Sequence, residues 1–224
     1  MAGRTERMTG GHFFIIVFTA LFAQLLGHYH AASLVIGSNF FLSWVLLRIV
    51  IPVAVLCALR VPVSRLGLGL PQIDKKMARL LVGGIIAVAA AFSGIYFLQG
   101  YFNSYGSAFG AANRLERFAN FMIFTSSTLT GWEFIHRCFL LMGINYVLSN
   151  RERIDPAAAA RIAIAIVWVF EVVFHFIKPE VEALGMLVGS PLLSWLALRT
   201  KSIWVPFLMH LLVEIFFITA LILQ

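Results

Sequence analysis

Three pairs of ionisable side chains, each spaced four residues apart, lie inside apolar runs of this chain: Glu133 with Arg137, Glu171 with His175, and His210 with Glu214. On a helix that spacing puts both members of a pair on one face, one turn apart. A charge at mid-bilayer costs roughly 3 kcal/mol, so such residues face a bundle interior or an aqueous cavity rather than lipid. One pair alone is explained by structural hydrogen bonding; three together are better explained by a shared polar cavity. A carboxylate and an imidazole around one water form a general base and its positioning partner, able to activate the water for attack on a carbonyl. A second imidazole can donate to the developing oxyanion. Arg137 either holds the Glu133 carboxylate ionised and aimed or neutralises it for insertion. Two His and one Glu are also a zinc ligand set. H-E-x-x-H is absent and nothing in the spacing selects metal over water, so no cofactor is expected while a catalytic zinc stays open.

Other polar residues in these runs have simpler readings. His136 points about 100° away from Arg137 on an α-helix, which suits packing or an interface. His12, His28 and His30 fall at the ends of the first apolar run, where interfacial placement suffices. Trp132, Trp168, Trp195 and Trp204 read as core or interface aromatics. Ser126 and Ser127 lack a surrounding G-x-S-x-G, which disfavours a serine nucleophile. Cys57 and Cys138 are the two cysteines; both lie in apolar stretches and read as buried small hydrophobes rather than a disulfide or a thiolate metal cluster.

The elements that must position these residues are membrane helices. The chain is 61% hydrophobic and 12% charged, far from the roughly half apolar and one quarter charged composition of soluble domains. A net charge of +7 is carried by short segments between apolar runs, where it sets topology, so nucleic acid is not an expected partner. The first run is about 12–27, with the alternative that it is a signal peptide cleaved near Ala32. The second, 40–59, contains Arg48, which either points into the bundle or marks a break near Pro52. Residues 60–76 read as a basic loop. The third run, 77–98, is rich in Gly and Ala, and a polar loop follows over 99–117.

The fourth run, 118–148, is about 31 residues, or about 46 Å if wholly helical. It exceeds a hydrocarbon core of about 30 Å and must tilt, project or break. Asp155 and Pro156 read as the N-cap and first position of the fifth helix. The sixth run, 181–198, carries Gly185 and Gly189 in the spacing that lets helices approach closely; the seventh is 202–223. The expected fold is therefore all-α, a polytopic transmembrane bundle of about seven spans. It forms a single integral membrane domain over 1–224, with N-terminal helices in 1–117 and a motif-bearing core in 118–224. The basic loops put the N-terminus in the cytoplasm and the C-terminus outside.

The assembled motifs resemble the CPBP family, the CAAX proteases and bacteriocin-processing enzymes also called type II CAAX prenyl endopeptidases. That family's pattern is Glu-Glu-x-x-x-Arg, then Phe-x-x-x-His, then His-x-x-x-Asn, on separate helices of an intramembrane protease core. Here the first motif is Trp132-Glu133-Phe134-Ile135-His136-Arg137, followed by Cys138-Phe139-Leu140-Leu141. The second is Glu171-Val172-Val173-Phe174-His175, with Lys178-Pro179 and Glu182 after it. The third is His210-Leu211-Leu212-Val213-Glu214, preceded by Ser202-Ile203-Trp204-Val205-Pro206. The resemblance covers about 118–217. It departs from the pattern at Trp132, which stands for the first Glu, at Glu171, which stands for Phe, and at Glu214, which stands for Asn.

The resemblance implies a glutamic-type intramembrane endopeptidase of a prokaryotic cell membrane, acting on a membrane-embedded or lipid-linked protein or peptide amid membrane lipid. In that scheme Glu133 and His175 activate water, His210 stabilises the oxyanion, and Arg137 and Glu214 position the others. Because the first Glu is absent, the base is either Glu133 or Glu171. A non-catalytic scaffold or immunity protein of the same fold, or a small proton-coupled transporter working through Glu171, His175, His210 and Glu214, are the alternatives.

Overall fold

The computed structural model describes residues 10–31, 42–96, 113–151, 154–176 and 180–223. Every regular element among them is helical. In chain order they are α1 (Gly10–Ala31), π1 (Leu42–Val50), α2 (Ile51–Ala58), a short 3-10 turn (Val63–Arg65), α3 (Lys75–Tyr96), α4 (Arg114–Glu133), π2 (Phe134–Met142), α5 (Gly143–Ser149), α6 (Pro156–His175), α7 (Glu180–Thr200) and α8 (Trp204–Leu223). Three stretches are long and apolar enough to cross a membrane, Gly10–Gly27, Pro156–His175 and Ala183–Thr200, while Leu46–Ala58 and Trp204–Phe216 are shorter apolar helices. This is a membrane protein.

The described chain falls into two compact units, one of Met1–Pro71 and Gly131–Pro206, the other of Gln72–Thr130 and Phe207–Gln224. In the first unit, Ile16, Ala20 and Ala23 of α1, Leu56 of α2, Ile135, Cys138, Phe139, Leu140 and Leu141 of π2, Ile144 and Val147 of α5, and Ala159, Ala163 and Val167 of α6 form one buried apolar cluster. Ala159 and Ala163 are small and one turn apart, which lets α6 lie close against its neighbours. A Cβ on Gly143 would come within 3.2 Å of Ile16 and 3.4 Å of Leu56, so the absence of a side chain at 143 is what seats α5 on α1 and α2.

Local chemistry sets the element ends. The Asp155 side chain accepts from the Ala158 backbone N–H at 3.0 Å, with Pro156 at the first helical position, as the sequence predicts. Asp74 caps α3 in the same way through Met77 N–H at 2.7 Å, and Asn113 caps α4 through Glu116 N–H at 2.9 Å. Helix α4 therefore begins at Arg114, four residues before the apolar run, because a polar cap rather than hydrophobicity starts a helix. Residues 67–69 are held to the α7–α8 corner: Ile203 N–H donates to Gly67 O at 2.8 Å, Ser202 Oγ to Gly69 O at 2.8 Å and Trp204 Nε1 to Leu68 O at 3.0 Å.

Of the alternatives open to the long fourth run, a break is not taken: the chain stays helical from Arg114 to Ser149, changing its winding to π over Phe134–Met142. Two expectations are corrected. Gly185 and Gly189 do not mark a close helix seam among the described residues, since a Cβ at 185 would meet nothing within 4 Å and one at 189 only Met186 of the same helix. Cys57 is exposed, on the outward side of α2, while Cys138 is buried. The polar loop over 99–117 lies outside the described residues up to 112, and so do the side chains of His28, His30 and Ser127.

Candidate active site

The motif residues of the first unit converge. Glu133, at the end of α4, is 1% exposed, and His136, Arg137 and Glu171 are fully buried, with His175 at 3%. Arg137 Nη1 donates to Glu171 Oε2 at 2.7 Å, a charge-assisted bond between π2 and α6. The other oxygen of Glu171 accepts from the indole Nε1 of Trp132 at 2.9 Å. Ser190 of α7, wholly buried, borders the same carboxylate without completing a hydrogen bond to it. Both oxygens of Glu171 are therefore engaged, by a guanidinium and by an indole.

Two of the three positions at which the motifs depart from the resembled pattern, 132 and 171, are thus in direct contact. The i,i+4 pairs themselves are looser than their spacing implies. Arg137 Nε lies 3.6 Å from Glu133 Oε2, an ion-pair distance rather than a hydrogen bond. His175 is joined to Glu171 through the backbone: its Nδ1 lies 2.7 Å from the Glu171 carbonyl oxygen. A carbonyl only accepts, so Nδ1 carries the hydrogen and Nε2 is the basic nitrogen of the neutral ring.

Trp132 is the hub of the cluster. Its ring centroid is 4.2 Å from that of His136 and 4.9 Å from that of His175, the latter edge-on, and the Arg48 guanidinium carbon lies 5.4 Å from the indole centroid. Arg48, 5% exposed, points into the bundle, which settles the choice left open by the sequence. His136 differs from expectation too. Its Nδ1 donates to the Trp132 carbonyl at 2.9 Å, its Nε2 meets Gln24 Nε2 at 2.9 Å, and its Nδ1 is 3.7 Å from Glu171 Oε1. The i→i+5 bonding of π2 puts more residues in each turn, so the 100° step that aimed His136 outward does not hold there. Gln24 was invisible in the sequence because a lone amide in an apolar run forms no pattern.

His210 and Glu214 belong to the second unit, with His210 Nε2 3.8 Å from Glu214 Oε1. In that unit a Cβ on Gly84 of α3 would lie 3.5 Å from Met209, next to His210. Among the described residues, no three His, Cys, Asp or Glu side chains are grouped as a metal ion would need.

A family model described as type II CAAX prenyl endopeptidase Rce1-like matches residues 114–216. The chain carries an Rce1-like domain. This bears out the resemblance read from the motifs, over almost the same residues, and at the level of the family it points to a CAAX protease-type membrane endopeptidase. Glu133, Arg137, Glu171, His175, His210 and Glu214 all fall inside the Rce1-like match; Gln24 and Arg48 fall outside it. The searches of the curated proteins and of the solved structures found no match.

Proposed function

We propose that the protein is an intramembrane glutamic-type endopeptidase that hydrolyses a peptide bond of a membrane-embedded or lipid-linked protein or peptide. The observation that carries this reading is the engagement of Glu171: with one oxygen on Arg137 and the other on Trp132, it serves as an anchor, and the base falls to Glu133. Glu133 takes a proton from water as the oxygen adds to the scissile carbonyl, with His175 orienting that water through Nε2. The motif resemblance assigns the oxyanion donor to His210 and the residue that positions it to Glu214. Collapse of the tetrahedral intermediate breaks the C–N bond, Glu133 returns the proton to the departing amine, and the products are a carboxylic acid and an amine. Arg137 keeps both carboxylates in place. Water is the only co-reactant, and membrane lipid is the surrounding medium.

Cleavage of a lipidated and of a transmembrane peptide substrate by purified wild type, Glu133→Gln, His175→Ala and His210→Ala tests the proposal. Loss of a general base is expected to lower the rate by about 10² to 10⁴-fold; full activity in all three variants refutes it. One observation favours a second reading, a non-catalytic scaffold: the Trp132 indole packs against both imidazoles, filling space beside the carboxylate with an apolar ring. Rescue of a null-strain phenotype by Glu133→Gln would support that scaffold.

A further inference from the structure

The buried cluster of the first unit contains two carboxylates, Glu133 and Glu171, and one guanidinium, Arg137, from the Rce1-like segment. A bilayer-embedded cluster left with a net charge is strongly disfavoured. The second guanidinium comes from outside that segment, from Arg48 of π1, and it is seated over the Trp132 ring and against Gly27 of α1, where a Cβ would lie 3.5 Å from its Nη2. Gln24, on the same α1, is 1% exposed and reaches His136 Nε2 at 2.9 Å. Since His136 Nδ1 must give its hydrogen to the Trp132 carbonyl, Nε2 is the acceptor and the Gln24 amide the donor. One tautomer of His136 is thereby fixed, with its ring stacked on Trp132.

We propose that Gln24 and Arg48 are positioning residues of the site, supplied by the N-terminal helices: together they set the Trp132 ring so that its N–H is delivered to Glu171. Gln24 acts through His136. Arg48 acts through the indole face, where a desolvated cation is attracted to the ring, and it brings the count of guanidinium groups level with that of carboxylates. The Rce1-like segment alone does not build this arrangement, because the amide and the second cation lie 90 and 66 residues before its first residue, Arg114.

The readout that a merely structural role would not move is the Trp132 indole N–H resonance, recorded on the full chain in lipid nanodiscs with ¹⁵N-labelled tryptophan and identified by its loss in Trp132→Phe. Gln24→Met and Arg48→Met are each expected to shift it, and Leu56→Ala, a packing change in the same unit, to leave it in place. If Arg48→Met does not fold, Arg48→Lys is read instead; it keeps the charge but loses the planar contact, and a smaller shift in the same direction is expected. An unmoved resonance in the Gln24 variant and in the folded Arg48 variant overturns the proposal. A second arm rests on the peptidase reading: kcat should fall about tenfold in Gln24→Met with KM unchanged, as for a displaced reacting group. A wild type that cleaves nothing defeats that reading alone, since the resonance still decides whether Gln24 and Arg48 set Trp132.

Discussion

Replacing Glu171 by Gln asks whether this carboxylate is the anchor of the site. Its two oxygens accept from Arg137 Nη1 at 2.7 Å and from Trp132 Nε1 at 2.9 Å. Glutamine keeps the shape but offers one oxygen and one NH2, so only one of the two donors can be satisfied and the other faces a donor in a fully buried place. An unsatisfied buried donor costs about 1–3 kcal/mol, and breaking a buried ion pair about 3–5 kcal/mol. The two figures overlap, because Arg137 contributes to both, and Glu133 at 3.6 Å keeps part of the compensation. The expected loss is about 3 kcal/mol. Trp132→Phe removes one donor and keeps a ring; interhelical hydrogen bonds inside membranes couple by about 0.6 kcal/mol on average and up to about 1.7, so an indole bonded to a carboxylate should lie near the upper end. A double-mutant cycle of Trp132→Phe and Glu171→Gln, read by circular dichroism during SDS unfolding in mixed micelles, should give a coupling of about 1 kcal/mol. A loss below about 0.5 kcal/mol for Glu171→Gln, or zero coupling to Trp132, refutes the anchor role and returns Glu171 to contention as the base.

Removing both ends of the Arg137–Glu171 pair as Arg137→Met with Glu171→Leu should cost less than Glu171→Leu alone, because no buried charge is stranded on Arg137; the same unfolding assay checks this. Asp155→Ala should lose about 1 kcal/mol by leaving the first turn of α6 uncapped, with cleavage unchanged. Gly67→Ala should cost about 1–3 kcal/mol, since φ at 67 is +70° and the new Cβ would stand 3.0 Å from Met142 and 3.3 Å from Ile203; measured stability at the wild-type level would show that the turn tolerates a side chain. A reporter fused after Gln224 should read as external, and a cytoplasmic signal would change the span count by one.

The sequence carried the membrane character, the helical class and the motif residues, because long apolar runs and ionisable residues inside them are each conspicuous. It was weaker on who pairs with whom. The i,i+4 spacing suggests that Glu133 belongs with Arg137 and Glu171 with His175, yet the charge-assisted bond of the site joins Arg137 to Glu171 across two helices, and His175 binds a backbone carbonyl. Spacing along one helix reports proximity, whereas a bidentate carboxylate goes to the strongest donors within reach, and those are tertiary. The inward aim of His136 is not legible, because a change to π winding has no signature in a hydrophobic run. Gln24 gives no signal either, because a single amide has no period.

The Gln24–His136 bond joins residues 112 positions apart. At synthesis rates of about 5–20 residues per second, α1 exists for roughly 6–22 s before its partner leaves the ribosome. During that interval the amide of Gln24, and the guanidinium of Arg48 behind it, have neither His136 nor Trp132 to meet. The polar contacts of the first helices are therefore completed only once π2 has been made, so the N-terminal part of the site is finished by the middle of the chain.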